Sequence, residues 1–170
     1  YHALAGSAPT PEAAWLAAGA VILAVDLVTR KEVNNAFCAV RPPGHHAERD
    51  HSMGFCLFNN VAVGAAYALA EQGYARIAIV DFDVHHGNGT EEIFRHEPRV
   101  LLCSSFQHPF YPFSPLITQH ERLIQTPLPE GVESAAYREA MAQRCLPALE
   151  QFQPQLILIS AGFDAHAEDE

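Results

Sequence analysis

Two continuous apolar runs constrain what this 170-residue chain can fold into more than any other feature of its sequence. Residues 76–82 read RIAIVDF and residues 155–161 read QLILISA. An apolar run without polar alternation is typical of a strand that is buried on both faces, as in a parallel sheet that helices cover on each side. The run at 76–82 therefore predicts a strand buried on both faces, and the run at 155–161 predicts a second continuous apolar strand.

Helical patterns alternate with the predicted strands. Thr10 as N-cap and Pro11 at the first helical position predict a buried, alanine-rich helix that extends to about residue 30. Further helices are expected at 59–72, 90–96 and 134–152, and further strands at 37–40 and 100–104. Pro147 is expected to kink or interrupt the last helix. The alternation predicts the α/β class, with a three-layer parallel sheet, helices on both faces and a single domain over residues 1–170.

The charge balance limits the partners of the chain. Ten lysines and arginines stand against twenty aspartates and glutamates, a formal net charge of −10. Because nucleic-acid binding usually needs a basic stripe, this balance predicts no nucleic-acid partner and favours a neutral or cationic substrate. The longest nearly apolar run, residues 13–25, is shorter than the roughly 20 residues of a membrane span, so no membrane partner is predicted.

The cysteines and the first residues of the sequence indicate a cytoplasmic protein. Cys38, Cys56, Cys103 and Cys145 are widely spaced and form no CxxC pair, which is typical of reduced, buried thiols. No charged segment followed by a cleavable apolar stretch is visible at the start of the sequence. These features predict a reducing compartment.

Carboxylates and a histidine follow the two central strands. Asp83 and His85 are two residues apart, a spacing that points both side chains to one side of an extended segment, and Asp164 follows the other strand. In parallel sheets the carboxyl ends of the strands share one edge, where ligands bind. One imidazole with two carboxylates suits zinc or iron(II), and zinc binds more tightly. Because the two carboxylates cancel the charge of the metal, its bound water is acidified less and needs a separate base.

Two adjacent histidines are candidates for that base. His45 and His46 lie in a stiff Pro-Pro-Gly loop, and an imidazole with a pKa of about 6.5 accepts and donates protons near neutrality. Asp81 and Asn88 flank the predicted ligands and are candidate partners of the two rings. An aspartate favours the charged imidazolium and an asparagine does so much less, so His46 is expected to be the neutral base if it faces Asn88. The alternative is a pair of solvent-exposed loop histidines.

Aromatic residues in polar or proline-rich loops have two interpretations. Phe55 and either Phe110 or Tyr111 pack in the core, or they form the wall of a narrow substrate tunnel. Sequence patterns alone do not choose between these roles.

The glycines after the first central strand have a simpler role. The GNGTEE segment lacks the third glycine of a dinucleotide loop, so nucleotide binding is not expected. Gly87 and Gly89 are expected to allow a tight turn, and Thr90 is expected to cap the next helix.

Taken together, four motifs resemble the zinc-dependent histone deacetylase family. They are RPPGHHA, GFCLFNNVAVGA, VDFDVHHGNGTEEIF and SAGFDAH, which occur in this order, and the similarity is to the class II and bacterial acetylpolyamine amidohydrolase branches. The resemblance implies an arginase/deacetylase-like fold and hydrolysis of an acetyl or related acyl amide. It also implies an acetylated lysine peptide or an acetylpolyamine as substrate, and an oligomer is compatible with it.

The resemblance also implies a role for each matching residue. The implied zinc ligands are Asp83, His85 and Asp164, and the implied general base and acid are His45 and His46, with Asp81 and Asn88 as their partners. The implied acyl channel contains Gly54, Phe55 and Tyr111. A structural K⁺ ion is implied at groups matching Asp81, Asp83, His85 and Ser105.

Two features depart from the family pattern. The family has a transition-state tyrosine in a Gly-Gly-Tyr motif downstream of the last zinc ligand, and this sequence ends at Glu170. The segment is therefore expected to be incomplete at both ends and inactive in isolation, since one missing oxyanion donor costs about 10² to 10³ in rate. Around PFYPFSP the usual Gly-Thr-Gly is missing, which bears on the assignment of Tyr111.

Two other functions fit parts of the pattern. A binuclear manganese ureohydrolase of related fold would need further carboxylates near Asp83 and Asp164, for which Asp81 is the candidate. An acyl-lysine-binding pseudoenzyme would need the channel but not turnover. The number of bound metals and the effect of an Asp83 variant on activity separate these functions.

Overall fold

A four-stranded parallel sheet forms the centre of the molecule. The structure is a computed structural model that describes residues 10–117 and 119–169. The strands are β1 (Ile77–Asp81), β2 (Val100–Gln107), β3 (Leu123–Leu128) and β4 (Leu156–Ser160). The helices are α1 (Thr10–Thr29), α2 (Asn60–Ala70), α3 (Asn88–Phe94) and α4 (Ser134–Phe152). In the sheet the strand order is β3, β2, β1, β4, and every neighbouring pair is parallel.

Apolar side chains on the two faces of the sheet pack into two separate cores. On one face, Ile77 and Ile79 of β1 pack with Val25 of α1 and with buried alanines of α2. On the other face, Ala78 of β1 packs with residues of α4, including Cys145. The predicted three-layer α/β class, with helices on both faces of a parallel sheet, is confirmed.

The register of the sheet brings the segments that follow β1 and β4 to the same end of the sheet. Asp81, the last residue of β1, lies opposite Ser104 of β2 and Ser160 of β4. Since the strands are parallel, the segments that follow β1 and β4 leave the sheet side by side. The predicted ligands lie in these segments.

A buried asparagine connects the histidine loop to the helices. The Asn59 side chain caps α2 by accepting a hydrogen bond from the backbone N–H of Ala62 at 3.1 Å. Its Nδ2 donates to the carbonyl oxygen of Ala47 at 3.2 Å and to Thr90 Oγ1 at 3.1 Å. One side chain thus fixes the loop after the tandem histidines against both α2 and α3.

One strand prediction was wrong, and one strand was not predicted. Residues 37–40 are not a strand, because Phe37 is exposed and the prolines that follow lack the N–H groups that a ladder needs. In contrast, β3 was not predicted, because Gln125 and Pro127 interrupt its apolar pattern. Pro127 is tolerated because, among the described residues, β3 pairs with β2 alone and so has an edge position.

Local predictions about two helices also differ from the structure. Of the two outcomes expected at Pro147, interruption does not occur, since α4 runs through this residue. Thr90 does not cap α3, since that helix begins at Asn88 and Gly87 occupies the N-cap position. Thr90 is instead fully buried and bonded to Asn59.

The first helix is longer than the apolar run at residues 13–25. By length and composition α1 is able to cross a membrane. In the structure it packs along α2, with Ala14, Ala17 and Val25 buried and Trp15 exposed. Its small buried residues allow the close approach to α2 that forms one outer layer of the fold.

Truncation of an isoleucine in the buried strand β1 should destabilise the protein far more than the same truncation in the outer strand β4. Ile79 is 0% exposed in β1, whereas Ile157 in β4 is 50% exposed. We expect Ile79→Ala to lower the free energy of unfolding by about 2–5 kcal/mol. Ile157→Ala should lower it by less than about 1 kcal/mol, because that side chain is already half in water. Urea denaturation measures both, and equal losses would contradict the assigned burial.

Candidate metal and catalytic site

The three predicted metal ligands converge at the carboxyl edge of the sheet. Asp83 and His85 follow β1 and Asp164 follows β4, and one potential ligand atom of each lies within 4.8 Å of the other two. His85 Nδ1 is 3.0 Å from Asp83 Oδ1 and 3.0 Å from Asp164 Oδ2. All three side chains are partly buried. Three protein ligands of this kind leave a coordination position open, as a catalytic metal requires.

Backbone groups hold the carboxylates of this cluster. The N–H of His85 donates to Asp83 Oδ1 at 2.8 Å, and the N–H of Val84 donates to Asp164 Oδ1 at 3.0 Å. A Cβ on Gly162 would lie 2.2 Å from Asp83 Oδ2, so only glycine allows the β4 loop to approach this closely. The carboxylates are therefore positioned by the chain itself, before any ion binds.

The charge distribution of the cluster favours a cation. Hydrogen bonds to Asp164 and Asp83 raise the pKa of His85 to about 9. Burial would raise the pKa of Asp164, but the hydrogen bonds from His85 and Val84 lower it to about 2. The two carboxylates thus stabilise a positive charge at His85 Nδ1, where a proton takes the place that a divalent metal ion would fill. This donor set fits zinc or another divalent ion that binds nitrogen and oxygen.

The first of the tandem histidines is paired with an aspartate. His45 Nδ1 is 3.0 Å from Asp81 Oδ2, and both side chains are buried. Burial lowers the pKa of His45, but the charge and the hydrogen bond of Asp81 outweigh burial and leave it raised. His45 Nε2 points toward the metal cluster, 3.8 Å from Asp83 Oδ2.

The second histidine is paired with an asparagine. His46 Nδ1 is 2.8 Å from Asn88 Oδ1, and both residues are buried. Burial and the neighbouring charge of His45 lower the pKa of His46 to about 4. The two rings are 4.0 Å apart between centroids. The structure therefore brings each histidine to its predicted partner, and the pKa directions agree with the expectation that His46 is the neutral ring.

Two glycines make these pairs possible by close approach. A Cβ on Gly87 would lie 2.4 Å from Asp81 Oδ2 and 3.3 Å from His45 Nδ1. A Cβ on Gly89 would lie 2.2 Å from the carbonyl oxygen of Ala47. Neither glycine has a positive φ. Gly87 nevertheless forms the expected tight turn, in which the N–H of Asn88 donates to the carbonyl oxygen of His86 at 2.9 Å. Both glycines also have a packing role, since a side chain at either position would push the histidine loop away.

Aromatic rings from the loop after β2 pack against His85 and His46. Phe110 stacks on His85, with ring centroids 5.0 Å apart and planes at 19°, and Tyr111 meets His46 edge-on at 5.2 Å. Gly54 has φ +54°, and a Cβ there would lie 2.2 Å from His46 Cδ2. The next residue, Phe55, is 72% exposed, so core packing does not explain it. Gly54, Phe110 and Tyr111 thus contact the histidines directly, and Phe55 projects into solvent beside Gly54.

The group of residues implied for potassium is also assembled. Ser105 Oγ lies 3.5 Å from the carbonyl oxygen of Asp81 and 3.1 Å from the hydroxyl of Tyr137. Asp83 donates its backbone N–H to Asp81 Oδ1 at 3.2 Å. Ser105 is therefore adjacent to Asp81, at the start of the segment that contains Asp83 and His85.

Sequence reasoning missed a buried polar group behind the site. His86 is buried, and its Nε2 lies 3.1 Å from Glu91 Oε2, although the contact is outside hydrogen-bond geometry. Gln125 Nε2 donates to the same Glu91 oxygen at 2.7 Å. The repeated histidine at 85 and 86 was visible in the sequence, but the partners of His86 are Glu91 on α3 and Ser104 on β2, whose Oγ lies 3.5 Å from His86 Nδ1.

Sequence reasoning also missed an acidic neighbour of Asn88. Glu48 Oε1 accepts a hydrogen bond from Asn88 Nδ2 at 2.8 Å. Glu48 follows the tandem histidines by only two residues, but the charged segment around it resembles an ordinary solvated loop. Its contact with Asn88 depends on the conformation of the loop, which a residue pattern does not predict.

Comparison with known proteins agrees with this geometry. Residues 4–170 match the family model described as "Histone deacetylase domain". The histone deacetylase-like amidohydrolase of Pseudomonas aeruginosa is 43% identical over 167 residues, which is 93% of this chain and 43% of the relative. A probable deacetylase of Archaeoglobus fulgidus is 42% identical over 162 residues, or 92% of this chain and 45% of the relative.

A solved structure gives the same result for the fold. The crystal structure of the HDA15 HD domain superposes with a TM-score of 0.87 at 41% sequence identity, covering 92% of this chain and 47% of that one. The chain thus spans less than half the length of these relatives. The match of the family model over residues 4–170 shows that the chain belongs to the histone deacetylase family.

Proposed function

We propose that this chain supplies the metal ligands and the tandem histidines of a zinc-dependent amidohydrolase that removes an acetyl or related acyl group from a lysine or a polyamine. One observation carries the proposal: Asp83, His85 and Asp164 converge on one point beside two buried histidines, one with a raised pKa and one with a lowered pKa. Membership of a family whose relatives are named deacetylases and amidohydrolases supports the reaction class.

The metal would be held by the two carboxylates and the imidazole of the cluster. We favour zinc over iron(II) because an imidazole with carboxylates suits both and zinc has the higher affinity. When bound, such an ion supplies Lewis acidity to an acyl carbonyl and to an attacking water. The potassium assignment at Asp81, Asp83, His85 and Ser105 is part of the same proposal, supported by the contact between Ser105 and the Asp81 carbonyl.

The tandem histidines divide the proton transfers. His46 is neutral near pH 7, because its pKa is lowered to about 4, and so is able to accept a proton from water. Asp81 leaves the pKa of His45 raised, which favours its protonated form, and the protonated ring would stabilise negative charge and donate to the departing amine. Asp81 and Asn88 orient the rings and do not themselves transfer a proton to the substrate.

The substrate channel is proposed from the aromatic contacts. Phe110 and Tyr111 lie against His85 and His46 and offer apolar walls for the aliphatic stem of an acylated amine, and Gly54 packs closely against His46, where a side chain would clash. Phe55 at the exposed rim would contact the substrate as it enters. The net charge of −10 favours a lysine-containing peptide or a polyamine over an acidic substrate.

A reducing compartment is proposed on the state of the cysteines. All four are free thiols, and Cys56, Cys103 and Cys145 are buried. Buried thiols without disulfide partners are usual in proteins of the cytoplasm.

Removal of one carboxylate ligand should abolish turnover. We expect Asp83→Asn to lower activity of the full-length protein on a fluorogenic acetyl-lysine substrate by at least about 100-fold, since even outer-shell partners of a metal cost 10–100-fold. Asp50→Asn, the same change at an exposed aspartate, should leave activity intact. Equal activity of the Asp83→Asn and unmodified proteins would contradict the metal mechanism.

The number of bound ions separates the proposed enzyme from a manganese ureohydrolase. Among the described residues, a single group of three potential ligands is present. We therefore expect one zinc per chain by elemental analysis after exposure to equal zinc and manganese. Two manganese ions per chain would favour the ureohydrolase reaction instead.

Zinc binding should release about one proton near neutral pH. Since the metal-free pKa of His85 is about 9, this ring is charged at pH 7 and must lose its proton to become a ligand. Zinc affinity should thus rise with pH until about pH 9. Calorimetry in buffers of different ionisation enthalpy measures the proton count. His96→Gln, a change at an exposed histidine, should keep this count, and zinc binding without proton release would refute the assignment of His85.

A further inference from the structure

We infer that Glu48 is a positioning residue whose carboxylate orients the Asn88 amide and thereby makes His46 present an unprotonated Nε2 to the reaction. The inference rests on the proposed function for its catalytic meaning, but its structural part is measurable without turnover. It concerns which nitrogen of a neutral His46 carries the proton.

The orientation follows from what each group is able to donate or accept. Glu48 Oε1 lies 2.8 Å from Asn88 Nδ2, and Asn88 Oδ1 lies 2.8 Å from His46 Nδ1. An ionised carboxylate only accepts hydrogen bonds, so the NH₂ group of Asn88 has to face Glu48. The amide oxygen then has to face His46, and because that oxygen only accepts, His46 Nδ1 must carry the hydrogen.

This choice of tautomer decides whether His46 is able to act as a base. A neutral imidazole has one N–H, so a proton on Nδ1 leaves a lone pair on Nε2. If the Asn88 amide turned over, its NH₂ group would donate to Nδ1 and the ring proton would move to Nε2. His46 would then have no lone pair on its outer nitrogen, although its position and burial were unchanged.

Other acceptors near Asn88 are weaker than Glu48. Asn88 Nδ2 also lies 3.3 Å from Met53 Sδ and 3.5 Å from the carbonyl oxygen of His46. A thioether is a weak acceptor and 3.5 Å is the outer limit of a hydrogen bond, whereas a carboxylate gives a charge-assisted bond. The carboxylate therefore contributes most to the orientation of the amide.

The loop holds Glu48 in place for this contact. The backbone N–H of Glu48 donates to the carbonyl oxygen of His51 at 2.9 Å, which closes a turn directly after the histidines. The side chain is partly buried, and Asn88 and His46 are buried, so the polar chain is shielded from competing water. An aspartate at 88 would instead put two carboxylates 2.8 Å apart, which explains why an amide suits this position.

The direct test reads the tautomer of His46 by long-range ¹H–¹⁵N NMR on the ¹⁵N-histidine-labelled chain, with the signal assigned by His46→Gln. We expect the Nδ1–H form in the unmodified protein and a mixture of both forms in Glu48→Ala. Glu48→Lys should give the Nε2–H form, because an ammonium only donates and turns the amide oxygen toward itself. Glu32→Ala removes an exposed carboxylate that contacts Arg30 and should leave the tautomer unchanged.

A second substitution distinguishes orientation from general stability. In the Glu48→Lys/Asn88→Asp protein, the aspartate only accepts from His46 and donates nothing, so the Nδ1–H form should return. In the full-length protein, Glu48→Lys should lower kcat by about 10-fold or more with little change in KM, and the double variant should recover part of that loss. A purely structural role for Glu48 would give no such recovery.

The outcomes separate this inference from the proposed function. An unchanged Nδ1–H tautomer in Glu48→Ala and Glu48→Lys, with dispersed spectra that show folded proteins, would overturn the role of Glu48 whatever the activity. If a variant does not fold, the other single variant and the double variant still report the tautomer. The expected tautomer changes in a full-length protein without deacetylase activity would uphold the positioning role of Glu48 and remove the proposed function.

Discussion

The register between β1 and β4 is the constraint on which the candidate metal site depends. Asp81 lies opposite Ser160, Asp83 follows by two residues, and Asp164 follows Ser160 by four. A slip of one residue would move one strand by roughly 3.3 Å relative to the other. That displacement is as large as the 3.0 Å distance between His85 and Asp164, so the ligands would no longer meet. The apolar packing of the sheet interior thus determines ligand geometry at its edge.

Hydrogen bonds within the chain stabilise the carboxylates that cluster at this end of the sheet. Asp81, Asp83 and Asp164 each accept at least one backbone N–H, and each lies within hydrogen-bond distance of a histidine nitrogen. These contacts satisfy the carboxylates individually but leave an excess of negative charge in the cluster. Without a metal, the raised pKa of His85 shows how that excess is balanced, by a proton on the ligand nitrogen. The same arrangement therefore serves both stability and cation binding.

The sequence predicted the parts of the fold and site that depend on local pattern. The apolar runs at 76–82 and 155–161 identified β1 and β4, of which β1 is buried and β4 lies at the edge of the described sheet with Ile157 and Ile159 exposed. The polar residues directly after these strands identified the group that clusters at the candidate metal site. What sequence reasoning missed depends on contacts made across space. β3 was missed because Gln125 is buried against Glu91 of α3, so a polar residue occupies a core position that pattern analysis reads as a loop. Glu48 was missed for the same reason, since its partner is 40 residues away.

The tandem histidines show why residues of this site act as pairs. Two rings 4.0 Å apart do not readily carry two charges. Asp81 raises the pKa of His45, whereas burial and the charge of His45 lower the pKa of His46 by more than the hydrogen bond to Asn88 raises it. A neutral ring has a choice of tautomer, so His46 needs an outer group to orient its partner. Glu48 contacts Asn88, and Asp81, a carboxylate without a donor of its own, needs no such orientation. A change from amide to carboxylate at 88 would therefore remove the need for a carboxylate at 48, which couples the two positions through the proton on His46.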